Sequence, residues 1–193
     1  MATAAKKIEA HWADALTYTP CDDALEWLRT QPDAQTAWDK SERGDWMLYH
    51  AEKLAGEPGS DARRPLVLAA CACARLALPY VKKGELRPLK TIETAERWAR
   101  GEANAPSLEE VRRAAAAAYA AYAAYAYAAY ADAAYADAAA AAAAAAYAAD
   151  AAAAYAADAA YAAAYAADAA ARKRVLAQCA DIVRATLPCP VLA

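Results

Sequence analysis

The residues with the most regular spacing are tyrosines and aspartates set into an alanine-rich tract that spans residues 114–171. Asp132, Asp150 and Asp168 are eighteen residues apart, which is five full turns of an α-helix and therefore one azimuth. On an uninterrupted helix over residues 138–171, tyrosine and aspartate occupy about one half of the circumference and alanine the other half. The spacing predicts a candidate partner or ligand surface, the Tyr/Asp face, made of Tyr147, Asp150, Tyr155, Asp158, Tyr161, Tyr165 and Asp168.

The Tyr/Asp face has three interpretations. We favour a solvated face opposite an alanine face that packs on another helix. Alternatively it is a surface for a partner or ligand, since tyrosine offers rigid contact area with a polar tip. A catalytic carboxylate pair is disfavoured, because no base, nucleophile or metal partner accompanies these residues. We therefore predict no catalytic residues and no enzyme activity.

Cysteine and histidine show no spacing typical of a metal or redox site. The two histidines, His11 and His50, stand alone, and the chain has no CxxC pair. We therefore expect no metal and no cofactor, and we interpret the five cysteines as reduced thiols of a cytoplasmic protein. They are Cys21, Cys71, Cys73, Cys179 and Cys189.

Charge and composition disfavour two classes of partner. The formal net charge of -3 argues against a protein that binds nucleic acid by neutralising phosphates. Aspartates interrupt every long window of the alanine tract, which argues against a membrane span, and the first residues lack the apolar segment of an export signal.

The alanine tract predicts the fold class, because alanine is the best helix former and no Gly or Pro lies between Ser107 and Leu187. We predict an all-α helical bundle of short N-terminal helices plus long Ala/Tyr-rich helices that fold back on themselves. The alternative for the tract is one long arm that pairs with another chain. We expect one continuous domain, with an N-terminal helical region (1–104), a long-helix region (105–187) and a tail (188–193).

The first hundred residues carry clear signals for helix starts and stops. Residues 65–78 are apolar on nearly every side and predict the central helix, with Trp27, Trp38, Trp46 and Trp98 packed around it. Other predicted helices are 21–30 with Thr19 as N-cap, a short helix capped by Asp33, 46–55 stopped by Gly56, and 88–100 stopped by Gly101.

Three further local patterns concern the later helices. Within residues 88–100, Glu93 with Arg97 and Glu96 with Arg100 are expected to form i,i+4 ion pairs. The sequence Ser-Leu-Glu-Glu at residues 107–110 predicts a capping box ahead of the alanine tract. Residues 175–187 predict an amphipathic helix that returns to the core.

Two segments resemble a known family. Residues 63–80 (RRPLVLAACACARLALPY) and 86–102 (LRPLKTIETAERWARGE) are similar to the immunity-protein-five-like family, whose members continue into a long alanine-rich helical region. The segment Glu42-Arg43-Gly44-Asp45-Trp46 also looks like bacterial and phage-borne members. The resemblance implies a small cytosolic protein that binds and neutralises a toxin, and it carries over no binding residues.

The leading functional prediction is therefore a non-enzymatic immunity-type protein that neutralises a toxin by protein–protein contact. One alternative is a phage anti-defence protein that sequesters a small signalling molecule or blocks a host defence protein. Sequestration would need a deep, Tyr-lined pocket with convergent polar groups, whereas toxin neutralisation would need an exposed patch. A second alternative is a structural helical assembly protein, with homo-oligomers formed through the alanine face.

Overall fold

The computed structural model describes residues 11–57, 59–81, 83–114 and 172–190. Six α-helices lie in these ranges: α1 Asp22–Leu28, α2 Ala34–Lys40, α3 Gly44–Leu54, α4 Arg64–Arg75, α5 Arg87–Arg100 and α6 Arg172–Thr186. Three short 3-10 helices are Trp12–Ala15, Asp61–Arg63 and Leu78–Tyr80, and residues 108–114 are also helical. No strand occurs within the described ranges, and the predicted all-α fold class is confirmed.

Helix α4 lies at the centre of the fold, as its apolar sequence predicts. Leu66 and Val67 are fully buried, and α4 packs against α3, α5 and α6. The α-helix ends at Arg75, three residues before the predicted end. The reason is Pro79, because a proline ring in an α-helix clashes with the carbonyl four residues before it. The chain continues as a turn and the 3-10 helix Leu78–Tyr80.

Helix α6 returns to the N-terminal helices, which confirms the amphipathic helix predicted over residues 175–187. Its buried side chains include Val175, Cys179 and Val183, and the helix packs on α3 and α4. Gly44 at the start of α3 permits a close approach to α6. A Cβ atom at Gly44 would lie 2.6 Å from the backbone nitrogen of Ala180, so a larger residue there would push the two helices apart.

Glu96 on α5 is a buried carboxylate that joins α5 to α4. Its oxygens accept hydrogen bonds from Arg75 at 2.7 and 2.8 Å and from Arg100 at 3.0 Å. The Arg75 guanidinium holds the pKa of Glu96 below its usual range. The expected pair of Glu96 with Arg100 is thus confirmed, whereas Arg97 pairs with a carboxylate beyond the helix end and not with Glu93.

Several helix caps agree with the local sequence signals. The Asp33 carboxylate accepts a backbone N–H of α2 at 2.6 Å. Ser107 and Glu110 form the reciprocal hydrogen bonds of a capping box at 2.7 and 3.2 Å. Gly56 and Gly101 follow α3 and α5 with φ of 80° and 62°, which are left-handed values that glycine adopts without strain. These predicted caps and stops are confirmed.

Helix α1 is shorter than predicted at both ends. It begins at Asp22 with Cys21 as the N-cap, so Thr19 is not the cap. The Tyr49 hydroxyl instead donates a hydrogen bond to the Thr19 carbonyl at 3.0 Å. The backbone of Cys21 has extended dihedral angles, so the helix has not yet begun there. Hydrogen bonds of the i→i−3 type close the last turn, so the α-helix ends at Leu28.

Some predictions concern residues outside the described ranges. These are the fold-back of the alanine tract, its alanine face, and the whole Tyr/Asp face, namely Tyr147, Asp150, Tyr155, Asp158, Tyr161, Tyr165 and Asp168. Among the helices of the described ranges, none has the length and apolar character that a bilayer crossing requires.

Candidate functional site: an aromatic pocket

A pocket of about 490 Å³ lies between the 3-10 helix Trp12–Ala15 and helices α1, α2 and α3. This volume falls within the roughly 300–1,000 Å³ typical of small-molecule sites. The lining is mainly apolar and includes six tryptophan and tyrosine side chains, namely Trp12, Tyr18, Trp27, Trp38, Trp46 and Tyr49. Together these six side chains form the aromatic wall of the pocket.

Short helices and their connections leave this space open. Helices α1 and α2 have only seven residues each, about two turns, so their side chains cover only part of α3. The indole N–H of Trp12 donates to the Gln31 carbonyl at 2.8 Å, and Arg29 pairs with Asp14 at 2.8 Å. Both contacts fix the 3-10 helix to the end of α1, so the wall that carries Trp12 has a defined position.

The rings of the aromatic wall support one another. The Trp27 and Trp46 rings are 5.9 Å apart at 49°, and the Tyr18 and Tyr49 rings are 5.8 Å apart in an edge-to-face arrangement. The edge-to-face arrangement is a preferred geometry for aromatic side chains, and the centroid distances of both pairs lie in the range of favourable aromatic contacts. Trp38 is buried in the core cluster as well as lining the pocket, so it belongs to the floor. The walls are therefore built from mutually packed rings.

The two charged lining residues, Arg43 and Asp45, neutralise each other. Arg43 donates to both carboxylate oxygens of Asp45, at 2.8 and 2.6 Å. The Arg43 guanidinium also lies 4.2 Å from the centre of the Trp46 ring, a cation–π distance. Asp45 is buried, so this bidentate pair is fixed in place and contributes no net charge to the pocket.

His50 is a half-buried polar residue of the pocket lining whose ring lies near those of Tyr18 and Trp38. Its Nδ1 is hydrogen-bonded to the Tyr18 hydroxyl, and its ring also donates to the Pro190 carbonyl. Burial lowers the pKa of His50 below 6.5, so the ring is neutral at pH 7. Assigning the proton of the neutral ring to the nitrogen that faces the Pro190 carbonyl makes Nδ1 the acceptor and the Tyr18 hydroxyl the donor.

The thiols of the described residues differ in exposure. Cys21 lines the pocket and is exposed, whereas Cys71, Cys73 and Cys179 are buried. Burial raises the pKa of the Cys71 thiol, and a hydrogen bond with Cys179 raises that of Cys73. Within the described ranges, no group of three or more His, Cys, Asp or Glu residues is placed to hold a metal ion.

The pocket was not predicted from the sequence, and two of its residues correct the predicted core. Trp38 and Trp98 belong to the core cluster around α4, as expected. Trp27 and Trp46 are only half-buried and pair with each other in the pocket wall, so their predicted packing around α4 is wrong. A signal was present, because four of the five tryptophans lie within the first fifty residues beside short helices.

Comparison with known proteins gives no relative. No family model matches the chain, and neither the curated proteins nor the solved structures provide a match. The resemblance to immunity proteins therefore stays a prediction from sequence.

Proposed function

We propose that this protein binds a small organic molecule in the aromatic pocket and sequesters it without chemical conversion. The observation that carries the proposal is the pocket of about 490 Å³ with its aromatic wall of six side chains. Tryptophan and tyrosine supply large, rigid contact areas, and concave sites of this size and composition are typical of ligand binding. Sequestration is one of the functions that the sequence left open.

The organisation of the wall supports binding of a ligand with little loss of entropy. Ring pairs, the Arg43–Asp45 pair and the His50–Tyr18 hydrogen bond hold the lining side chains before any ligand arrives. A site whose side chains are already fixed loses less conformational entropy on binding. The same polar groups are engaged with each other, which suits retention of a ligand more than its chemical conversion.

Toxin neutralisation remains a prediction that rests on the family resemblance, and the Tyr/Asp face remains a candidate partner surface predicted from residue spacing. Absence of enzyme activity is likewise part of the proposal. The pocket supports the small-molecule function because its lining residues lie within the described ranges, whereas the Tyr/Asp face does not.

The direct test is titration with N-phenyl-1-naphthylamine, an uncharged aromatic compound that fluoresces strongly in apolar sites. We expect saturable binding at one site per chain. Trp27→Ala removes a half-buried ring of the wall and should weaken binding about tenfold, since an aromatic pair contributes about 0.5–1.5 kcal/mol beyond the area it buries and about 1.4 kcal/mol is a factor of ten in affinity. Ala34→Phe should weaken binding as well, because it fills part of the pocket.

Leu86→Ala is the matched control, because Leu86 is an exposed apolar residue outside the pocket. It should bind the dye as the unmodified protein does. Thermal unfolding of each variant separates lost binding from lost folding, and Ala34→Phe keeps the test informative if Trp27→Ala is unstable. Unsaturable binding, or equal affinity in all four proteins, would show that the pocket is not the site.

A further inference from the structure

We infer that the ligand of the aromatic pocket is an uncharged, planar aromatic molecule whose N–H or O–H donates to the hydroxyl oxygen of Tyr18. This inference rests on the proposed function and specifies its ligand class. It follows from three properties of the lining: the charge balance, the faces offered by the rings, and the hydrogen-bonding capacity that remains.

The charge balance excludes a ligand that needs an ionic partner. An anion such as a carboxylate or phosphate would need the positive charge of Arg43, but the bidentate pair with Asp45 already balances that charge. An organic cation would need a free carboxylate, and Asp45 is buried beneath its arginine. Within an aromatic cage the cation would also meet the positive charge that lies over the Trp46 ring. Burying a charge without a partner is costly, so an uncharged ligand is favoured.

The rings favour a flat ligand. Trp27 and Trp46 are tilted at 49° to each other, and Tyr18 and Tyr49 meet edge to face at 69°. Rings at such angles offer both faces and edges to a ligand. A planar aromatic molecule can stack on the face of one ring of a pair while it meets the edge of the second ring. A branched aliphatic molecule would gain area but none of these oriented contacts.

The hydrogen-bonding capacity that remains at the polar tips of the aromatic wall is of the acceptor type and lies on the hydroxyl oxygens of Tyr18 and Tyr49, because an indole N–H that has donated offers no acceptor. The Tyr18 hydroxyl proton goes to His50 Nδ1, the Tyr49 hydroxyl proton to the Thr19 carbonyl, and the Trp12 N–H to the Gln31 carbonyl. A phenol oxygen that has donated its proton can still accept a hydrogen bond. The Tyr18–His50 hydrogen bond is partly buried whereas the Tyr49–Thr19 hydrogen bond is exposed, so the Tyr18 oxygen is the acceptor that a ligand would meet away from bulk water.

Four naphthalene derivatives test this ligand class, because they share the ring of the fluorescent probe and differ in one property each. They are 1-naphthol, 1-methoxynaphthalene, 1-naphthoate and the 1-naphthylmethylammonium ion. Each is titrated against the complex of the full chain with N-phenyl-1-naphthylamine at pH 7. We expect 1-naphthol to displace the probe, and 1-methoxynaphthalene to bind about tenfold more weakly because it cannot donate to Tyr18. Both ions should bind at least about tenfold more weakly than 1-naphthol.

The variant Tyr18→Phe keeps the ring and removes the oxygen. In this variant 1-naphthol and 1-methoxynaphthalene should bind within about threefold of each other, while the preference against both ions persists. Equal binding of these two neutral compounds to the unmodified protein, or a persistent preference in Tyr18→Phe, would overturn the role of Tyr18. Tighter binding of either ion would overturn the uncharged ligand. If the probe itself does not bind, the proposed function fails; if it binds and no naphthalene displaces it, only the ligand class fails.

Discussion

Replacing Gly44 by alanine tests the close approach of α3 and α6. A Cβ atom there would contact the Cys179 Cβ and lie 2.6 Å from both the Cys179 carbonyl carbon and the Ala180 nitrogen. Ordinary contact begins at 3.4 Å, so the α6 backbone would have to retreat by about 0.8 Å (3.4 minus 2.6). Overpacking of this kind costs ~1–3 kcal/mol, and the better helix propensity of alanine returns at most about 1 kcal/mol. We expect a net loss of roughly 1–2 kcal/mol.

Urea unfolding followed by tryptophan fluorescence measures this loss as a lower midpoint at an unchanged slope. Thiol labelling supplies a local readout, because Cys179 lies directly under Gly44 and should react faster once the helices separate. Gly84→Ala is the control: its φ of 92° makes alanine strained, but nothing lies near the added Cβ atom. It should lower stability without exposing Cys179. Unchanged stability and unchanged Cys179 protection in Gly44→Ala would refute the close approach.

Four other predictions follow from burial and charge. N-ethylmaleimide should label Cys21 first in the native protein and the three buried thiols only after unfolding. Mass spectrometry measures this order, and labelling of the buried thiols before Cys21 would contradict the prediction. Burial lowers the pKa of His50 below 6.5, so the unfolded state takes up a proton first as the pH falls, and stability should decline once the pH drops below 6.5. In His50→Gln the melting temperature should depend less steeply on pH over this range. The same pH dependence in the variant and the unmodified protein would contradict this prediction. Glu96→Gln should lower the free energy of unfolding in urea by about 1–3 kcal/mol, since Arg75 and Arg100 lose their charged acceptor. An unchanged urea midpoint would show that these two ion pairs do not stabilise the fold. Leu66→Ala should cost ~2–5 kcal/mol, and a cost under about 1 kcal/mol would place Leu66 outside the core.

Features that depend on neighbouring residues were predictable from the sequence. The cap at Asp33, the stops at Gly56 and Gly101, and the capping box at Ser107 each arise from chemistry within a few residues. The apolar character of α4 likewise predicted its central place.

Features that depend on residues far apart in the chain were not predictable from the sequence. The salt bridge of Glu96 with Arg75 joins two helices, and the requirement for glycine at position 44 arises from Cys179, far along the chain. The pocket is a further example, because Trp27 looks like a core residue when read on its helix alone. Only the placement of α1 and α2 over α3 shows that its ring faces a cavity.

Ligand binding by the aromatic wall should be visible at the tryptophan rings themselves. The most direct measurement is the NMR spectrum of the tryptophan indole N–H groups during titration with N-phenyl-1-naphthylamine. The chain has five tryptophans; Trp98 lies in the core outside the pocket and the other four line it, so the spectrum contains its own control. We expect the signals of Trp12, Trp27, Trp38 and Trp46 to shift in a saturable way while that of Trp98 does not. A titration that leaves all five signals in place, or that shifts Trp98 as much as the others, would contradict it.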